Sequence, residues 1–384
     1  MSDKHPLYFT IHGHFYQPPR ENPWTGVIEN QPSARPNHDW NDRIASQCYS
    51  PNSASRILSP HGRIVDIVNN YDFMSFNMGP TLMGWIRTNT PDTYKRIQEA
   101  DKRSMERLNG HGNAIAQVYN HIIMPLASAH DKRTQIRWGI EDFKFHFGRM
   151  PEAMWLAETA INMETVVELI KAGIKFTILS PTQADSFREL AEDGSAKDGE
   201  WTGCANTDID TTRPYRVYPR DKDGKLVCDG YLDVFFYNPW LSSAVGFEHL
   251  LRDAGVFGKR IQDAWDANRE EPQLVSIGTD GESYGHHEPF GDMCAAWLYN
   301  RYAPEHNMVP VNYGWYLEKF PPKHEVLLKN FHGEGCAWSC AHGVGRWYRD
   351  CGCSTGGGPD WNQKWRGPLR DAFNQLKKLA AGYG

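Results

Sequence analysis

At 384 residues the chain is long enough for two average domains or for one barrel with insertions. Its 40% hydrophobic and 23% charged residues exclude general disorder, and a net charge of −6 with scattered Lys and Arg excludes the basic surface that nucleic acid demands. No apolar run approaches the roughly 20 residues of a membrane span, and the N-terminus carries no charged-then-apolar signal pattern, so a cytoplasmic protein without nucleic-acid or membrane partners is expected.

Leu7 to Ile11 alternates apolar and β-branched residues and ends at His12-Gly13-His14, which predicts a first strand whose end carries imidazoles. Phe73 to Asn77 and Ile115 to Tyr119 predict two more. Ala153 to Leu156 and Phe176 to Leu179 flank a helix with Asn162 as N-cap, Met163, Val166, Val167 and Ile170 on one face, and Gly173 at its C-terminal stop. Strand, helix and strand in so short a span predict a parallel βαβ unit. Tyr215 to Tyr218, Val234 to Tyr237 and Leu274 to Ile277 are later candidates, and 193–229 reads as a surface excursion with turns such as Asp223-Gly224. After Asp292 the pattern turns helical, ending in an amphipathic helix with Leu369, Phe373, Leu376 and Leu379 on one stripe. That stripe is expected to meet either this chain's own core or a further domain.

Strands alternating with helices leave an open doubly wound sheet or a barrel. No strand runs into Gly-x-Gly-x-x-Gly, which removes the nucleotide-binding signature of the open sheet. Four predicted strand ends carry polar groups: His12 and His14; Tyr119 and His121; Glu158; Asp280 and Glu282. Polar groups at the C-terminal ends of strands are the pattern of a barrel mouth. The expected architecture is therefore α/β, with a barrel over 1–292 and a helical region over 293–384.

Three segments carry the chemistry. Trp155-Leu156-Ala157-Glu158 places an acid just past a buried strand end, beside an aromatic ring that can pack on a sugar. Asp280-Gly281-Glu282-Ser283-Tyr284-Gly285-His286-His287-Glu288 concentrates acids and imidazoles among glycines that allow close backbone approach. An acid held near a second carboxylate and partly desolvated has a raised pKa, as general-acid work requires. His12 and His14 point to one side of their strand, within reach of a ligand hydroxyl or a metal. With 14 Trp, 17 Tyr and 17 Phe, the chain is rich in rings that serve a core or stack on sugars.

These segments together resemble glycoside hydrolase family 57, with its His-x-His-Gln-Pro, Trp-Leu-x-Glu and Asp-Gly-Glu motif regions, over about residues 7 to 292. The resemblance implies an incomplete (β/α)7 TIM-like barrel followed by helices, and a retaining enzyme acting on α-linked oligosaccharides or polysaccharides without a catalytic cofactor. It implies Glu158 as nucleophile and Asp280 as acid/base, which such a mechanism holds roughly 5–5.5 Å apart. His12, His14, Gln17, His121, Trp155, Glu282, Tyr284, His286, His287, Trp338 and His342 are the expected substrate-binding residues. Phe15-Tyr16 separate His14 from Gln17, and Gly112-Asn113-Ala114-Ile115 stands where the family pattern has Gly-x-x-Glu.

Two rival readings remain at this level. A metal-dependent barrel hydrolase resembling deacetylases or α-mannosidases would use His12, His14 and Asp280 as ligands; a glycan-binding module would keep the cleft without turnover. Finally, Cys336, Cys340, His342, Cys351 and Cys353 crowd five soft ligands into one segment whose spacing matches no paired Cys-x-x-Cys finger. Free thiols are the leading expectation there, ahead of a metal site or a disulfide. The aromatic residues among them suggest that the segment folds over the cleft.

Overall fold

The computed structural model describes residues 5–205, 208–353, 358 and 360–382. Seven parallel strands organise it: β1 (Leu7–Phe15), β2 (Ser75–Met78), β3 (Ala116–Gln117), β4 (Met154–Trp155), β5 (Phe176–Leu179), β6 (Leu232–Phe236) and β7 (Leu274–Asp280). β1 pairs with β7 on one side, from Tyr8 with Leu274 to His14 with Asp280, and with β2 on the other, from His12 with Ser75 to Phe15 with Met78. A bridge from Phe76 to Ala114 leads from β2 towards β3, which pairs with β4. A bridge from Ala153 to Phe176 leads on to β5, which pairs with β6. Just past β6, Asn238 N donates to Ser276 O of β7 at 2.7 Å.

All of β1 and β5 and nearly all of β7 are buried, as expected of parallel strands covered on both faces. The predicted βαβ unit is present. Asn162 Oδ1 accepts from Thr165 N at 3.0 Å and caps the helix Met163–Lys171. Val166 and Leu169 turn into the main core with Ile11, Phe76, Leu179 and Ile277.

The region after residue 292 is more mixed than the helical expectation. Met308–Pro310 pairs with the N-terminal half of β1, and His324–Leu328 lies between Pro214–Val217 and Ala184–Glu189 in the same sheet that contains β5 and β6. Both strands were missed because each is short and begins with a polar or irregular flank. From 329 to 365 the described residues form only two short 3₁₀ turns before the terminal helix Arg366–Ala381. Leu369, Phe373, Leu376 and Leu379 of that helix are exposed, so its apolar stripe is not absorbed by this chain's core. Among the described residues no helix is long and apolar enough to cross a membrane.

Candidate active site

The C-terminal ends of β1, β2, β3, β4 and β7 bring the predicted residues together. A chain of hydrogen bonds crosses three of them: Ser75 Oγ to His12 Nδ1 (3.0 Å), His12 Nε2 to Asn77 Oδ1 (3.1 Å), Asn77 Nδ2 to His14 Nδ1 (2.9 Å), and His14 Nε2 to His121 Nε2 (2.9 Å). Asn77 also donates to Gln117 Oε1 at 2.7 Å, which fixes its amide orientation. His14 Nδ1 therefore accepts, its Nε2–H donates to His121, and His121 carries its proton on Nδ1. Burial holds all three imidazoles neutral: His12 falls to about 3, His14 well below its usual value and His121 to about 4.

The rings form a stack beneath the cleft. His12 and His14 each lie 5.0 Å from Trp155, His121 lies 4.9 Å from His14, and Tyr16 covers His121 at 3.9 Å. Trp155 itself is completely buried, with its edge on Trp338 at 5.4 Å. Its expected contact with a sugar face is thus corrected to support of the floor. Ile115, where the family pattern has Glu, lies in the same apolar cluster as Trp155.

Glu158 stands beyond β4 in the left-handed backbone region, φ 58° and ψ 20°, and Thr159 follows at φ 51°. Such conformations are costly for residues with a Cβ, above all a β-branched one, and cluster where geometry serves function. Gln183 holds the turn, accepting from Thr159 Oγ1 at 2.7 Å and donating to Thr159 O at 2.8 Å. A segment from far along the chain completes it. Residues 337–340 make a tight turn closed by a bridge between Ala337 and Cys340; at its tip Trp338 Nε1 and Ser339 Oγ donate to Glu158 Oε2 at 2.9 and 2.5 Å. Trp338 N also donates to Glu158 O at 3.1 Å. Trp338 had been expected at the cleft; Ser339, with no motif around it, had not.

Asp280 ends β7. Its side chain is open to solvent yet walled by protein, and its pKa is raised by that partial desolvation and by the charge of Glu158, against the opposing pull of His287. Glu282 is buried and raised to about 7, by desolvation first and by Asp280 as well, although Tyr49 OH donates to it at 2.7 Å and Gln17 Nε2 approaches at 3.5 Å. Gly281 is required between these acids because a Cβ there would stand 2.4 Å from the Phe15 ring.

The remaining expectations divide. His286 bonds Gln47 Oε1 at 2.7 Å, and His287 is exposed near Asp280. Tyr284 is fully buried in the core, away from any ligand. His342 belongs to the cysteine segment, 3.4 Å from Cys353 Sγ, so its predicted place in the cleft is also corrected. Tyr119 turns its ring to Trp138. The hub residues Asn77 and Tyr49 were missed: Asn77 ended a predicted strand, a position that signals function, whereas Tyr49 lies in a helical stretch without any motif. A groove of about 530 Å³ runs beside Glu158, between His121, Leu126, Trp347 and the terminal helix residues Arg370 and Phe373.

The metal-hydrolase reading loses its ligands. Both ring nitrogens of His12 and of His14 are engaged in the buried chain described above, so neither imidazole has a lone pair free for a cation.

Comparison with known proteins places the fold. Solved structures sharing the fold include a 4-α-glucanotransferase from Thermococcus litoralis, at 16% identity and a TM-score of 0.55 over 85% of this chain and 42% of that one. An exo-type maltose-forming amylase from Pyrococcus sp. ST04 matches at 15% identity and a TM-score of 0.65, over 97% of this chain and 62% of that one. A GH57-type branching enzyme from Pyrococcus horikoshii matches at 13% and 0.54, over 89% of this chain and 74% of that one. The chain thus spans about half of the first two proteins. No curated protein sequence matches it. The family model for glycosyl hydrolase family 57 matches residues 7–328, and the chain belongs to that family.

Proposed function

We propose that the protein is a retaining glycoside hydrolase or glucanotransferase acting on α-linked glucans, with Glu158 as nucleophile and Asp280 as acid/base. The observation that carries this reading is the state of Glu158: a carboxylate held in strained backbone, gripped on one oxygen and within the field of a second acid whose pKa is raised. Because Oε2 receives two donors, Oε1 is the atom left for attack on the anomeric carbon. Asp280, whose pKa is raised by desolvation and by the charge of Glu158, gives its proton to the departing oxygen, leaving a glycosyl ester on Glu158. Asp280 then takes a proton from water or from a sugar hydroxyl, which attacks the ester and restores Glu158. The neutral imidazole of His121, held from behind by His14, supplies a hydrogen bond without adding charge.

The parallel strands β1-β2-β3-β4-β5-β6-β7 read, on this proposal, as the (β/α)7-type barrel of residues 1–292, with 293–384 completing its mouth. A passive glycan-binding cleft would have no use for a strained, doubly gripped acid. Replacing Glu158 by Gln is expected to lower turnover of an α-glucan at least about 10³-fold while binding persists. Labelling Glu158 with an activated fluoroglycoside, read by mass spectrometry, is the positive counterpart. Unchanged turnover in the Gln variant on a verified substrate would overturn the assignment.

A further inference from the structure

The segment that grips Glu158 has almost no core of its own. Its apolar cluster contains three buried residues, Ala160, Ala337 and Val344. Yet Trp338 and Ser339 must sit within hydrogen-bond distance of one carboxylate oxygen. Something besides apolar burial has to fix the turn.

One end of the turn is anchored: Cys336 exchanges backbone hydrogen bonds with Ile161 at 2.9 Å in both directions, and its thiol accepts from Gln183 Nε2 at 3.4 Å. The other end is Cys340, where three further soft groups converge. Cys340 Sγ lies 4.0 Å from Cys351 Sγ and 3.7 Å from Cys353 Sγ, and Cys353 Sγ lies 3.4 Å from His342 Nδ1. All four ligand atoms fall within 4.8 Å of one another. A zinc tetrahedron with bonds of about 2.3 Å to sulfur and about 2.0–2.1 Å to nitrogen has edges of roughly 3.8 Å between sulfurs and roughly 3.5 Å from sulfur to nitrogen. Three of the observed separations, at 3.4, 3.7 and 4.0 Å, lie close to those edges. Cys336 stands apart, which separates the fifth soft residue from the four.

We infer that Cys340, His342, Cys351 and Cys353 bind one zinc ion, and that this ion fixes the turn whose tip holds Glu158. The four form two pairs, each spaced by one residue, so each short stretch supplies half of the tetrahedron. Gly352, at φ +81°, provides the left-handed kink between Cys351 and Cys353. Surrounding groups already brace the ligand loops: Gln363 Nε2 donates to Cys353 O at 2.6 Å, Arg349 Nη2 to His342 O at 3.2 Å, and Arg346 Nη1 to Ser339 O at 2.6 Å. Three thiols meeting at one point do not suit a disulfide, which joins two and leaves the third idle. With all four positions taken by protein, the ion has no open site for substrate and serves structure. Binding displaces the thiol protons to solvent.

The zinc site stands independently of the reaction, whereas its effect on turnover rests on the retaining-glycosidase reading above. Protein purified with zinc supplied is expected to contain one equivalent by elemental analysis, and its cobalt form to show the absorption of tetrahedral thiolate coordination. Cys353→Ser and His342→Ala should lose most of the metal, and Cys336→Ser should keep it. Absence of bound metal, equal metal in the wild type and both ligand variants, or a protein mass two hydrogens short from a Cys340 disulfide would each overturn the site. Removing zinc with a chelator should speed amide exchange in 336–353 and lower turnover about tenfold or more, with zinc restoring both. Unchanged exchange after metal loss would overturn the clamp. If Glu158→Gln keeps full turnover while zinc binding and exchange behave as stated, the reaction assignment fails and the metal site stands.

Discussion

The two walls of the cleft are built by opposite means. The histidine wall comes from neighbouring strands β1, β2 and β3, is buried, and satisfies its polar atoms through Asn77. The wall at Glu158 joins the end of β4 to a turn about 180 residues later in the chain, in a segment with little regular structure and few buried apolar side chains. Strand neighbours position groups through the sheet that the core already requires; a distant loop needs its own fastening. The first wall resists change and the second depends on its clamp.

That contrast is broken or sharpened most severely by Asp280→Asn, which removes the proton donor and leaves both walls in place. Turnover is expected to fall about 10²–10⁴-fold for a substrate with a poor leaving group and far less for an activated aryl glycoside. Equal losses on both substrates would remove Asp280 from the acid role. The raised pKa of Asp280 also moves the alkaline limb of the kcat/KM profile upward, and the variant should lose that limb.

The histidine wall makes a prediction about stability. His12 takes a proton near pH 6.5 when unfolded but only near 3 when folded, so the stability gained by its neutrality is complete above 6.5 and is lost as pH falls towards 3. His14 and His121 act in the same direction. Glu282 opposes them: folded, it keeps a proton up to about 7 that the unfolded chain releases near 4.5, so its contribution declines as pH rises through that window. Three imidazoles outweigh one carboxyl, and the unfolding free energy read from denaturant titrations should drop between pH 6 and 4, by an amount on the order of a few kcal/mol. A flat profile would mean that the imidazoles are not held neutral.

The smallest effect tests the other wall. Ser339→Ala removes one of the two donors on Glu158 Oε2, a hydrogen bond to a charged group worth about 1.5–3 kcal/mol. It should lower kcat roughly tenfold or somewhat more while leaving unfolding at neutral pH nearly unchanged, because Ser339 holds the acid and not the core. A large loss of stability with normal kcat would invert the comparison between the walls.

How much of this was legible in the sequence follows the same division. The strand ends at His12, His14, His121, Glu158 and Asp280 were readable because each lies just past an apolar run. Trp155 was misjudged because a strand-end aromatic beside an acid has the same pattern whether it faces a ligand or supports the floor; only the stack with His12 and His14 decides. Ser339 and Tyr49 left no pattern, since their roles arise from contacts across 181 and 233 positions. The strand Met308–Pro310 was hidden by its length, as three residues cannot display an alternation.

The hydrogen bonds from Ser75 to His121 also have a direction. Every proton in that row points the same way, because the Asn77 amide is locked by Gln117 and each imidazole has one donor and one acceptor. The row cannot be reversed at one link without reversing the others. A ligand arriving at His121 therefore meets a ring already committed to giving its proton outward. On the function proposed above, sugars that offer a lone pair there are matched, and those that offer a hydrogen must turn the whole row and Gln117 with it, so the row would act as a polarity filter for how a glycan lies in the cleft.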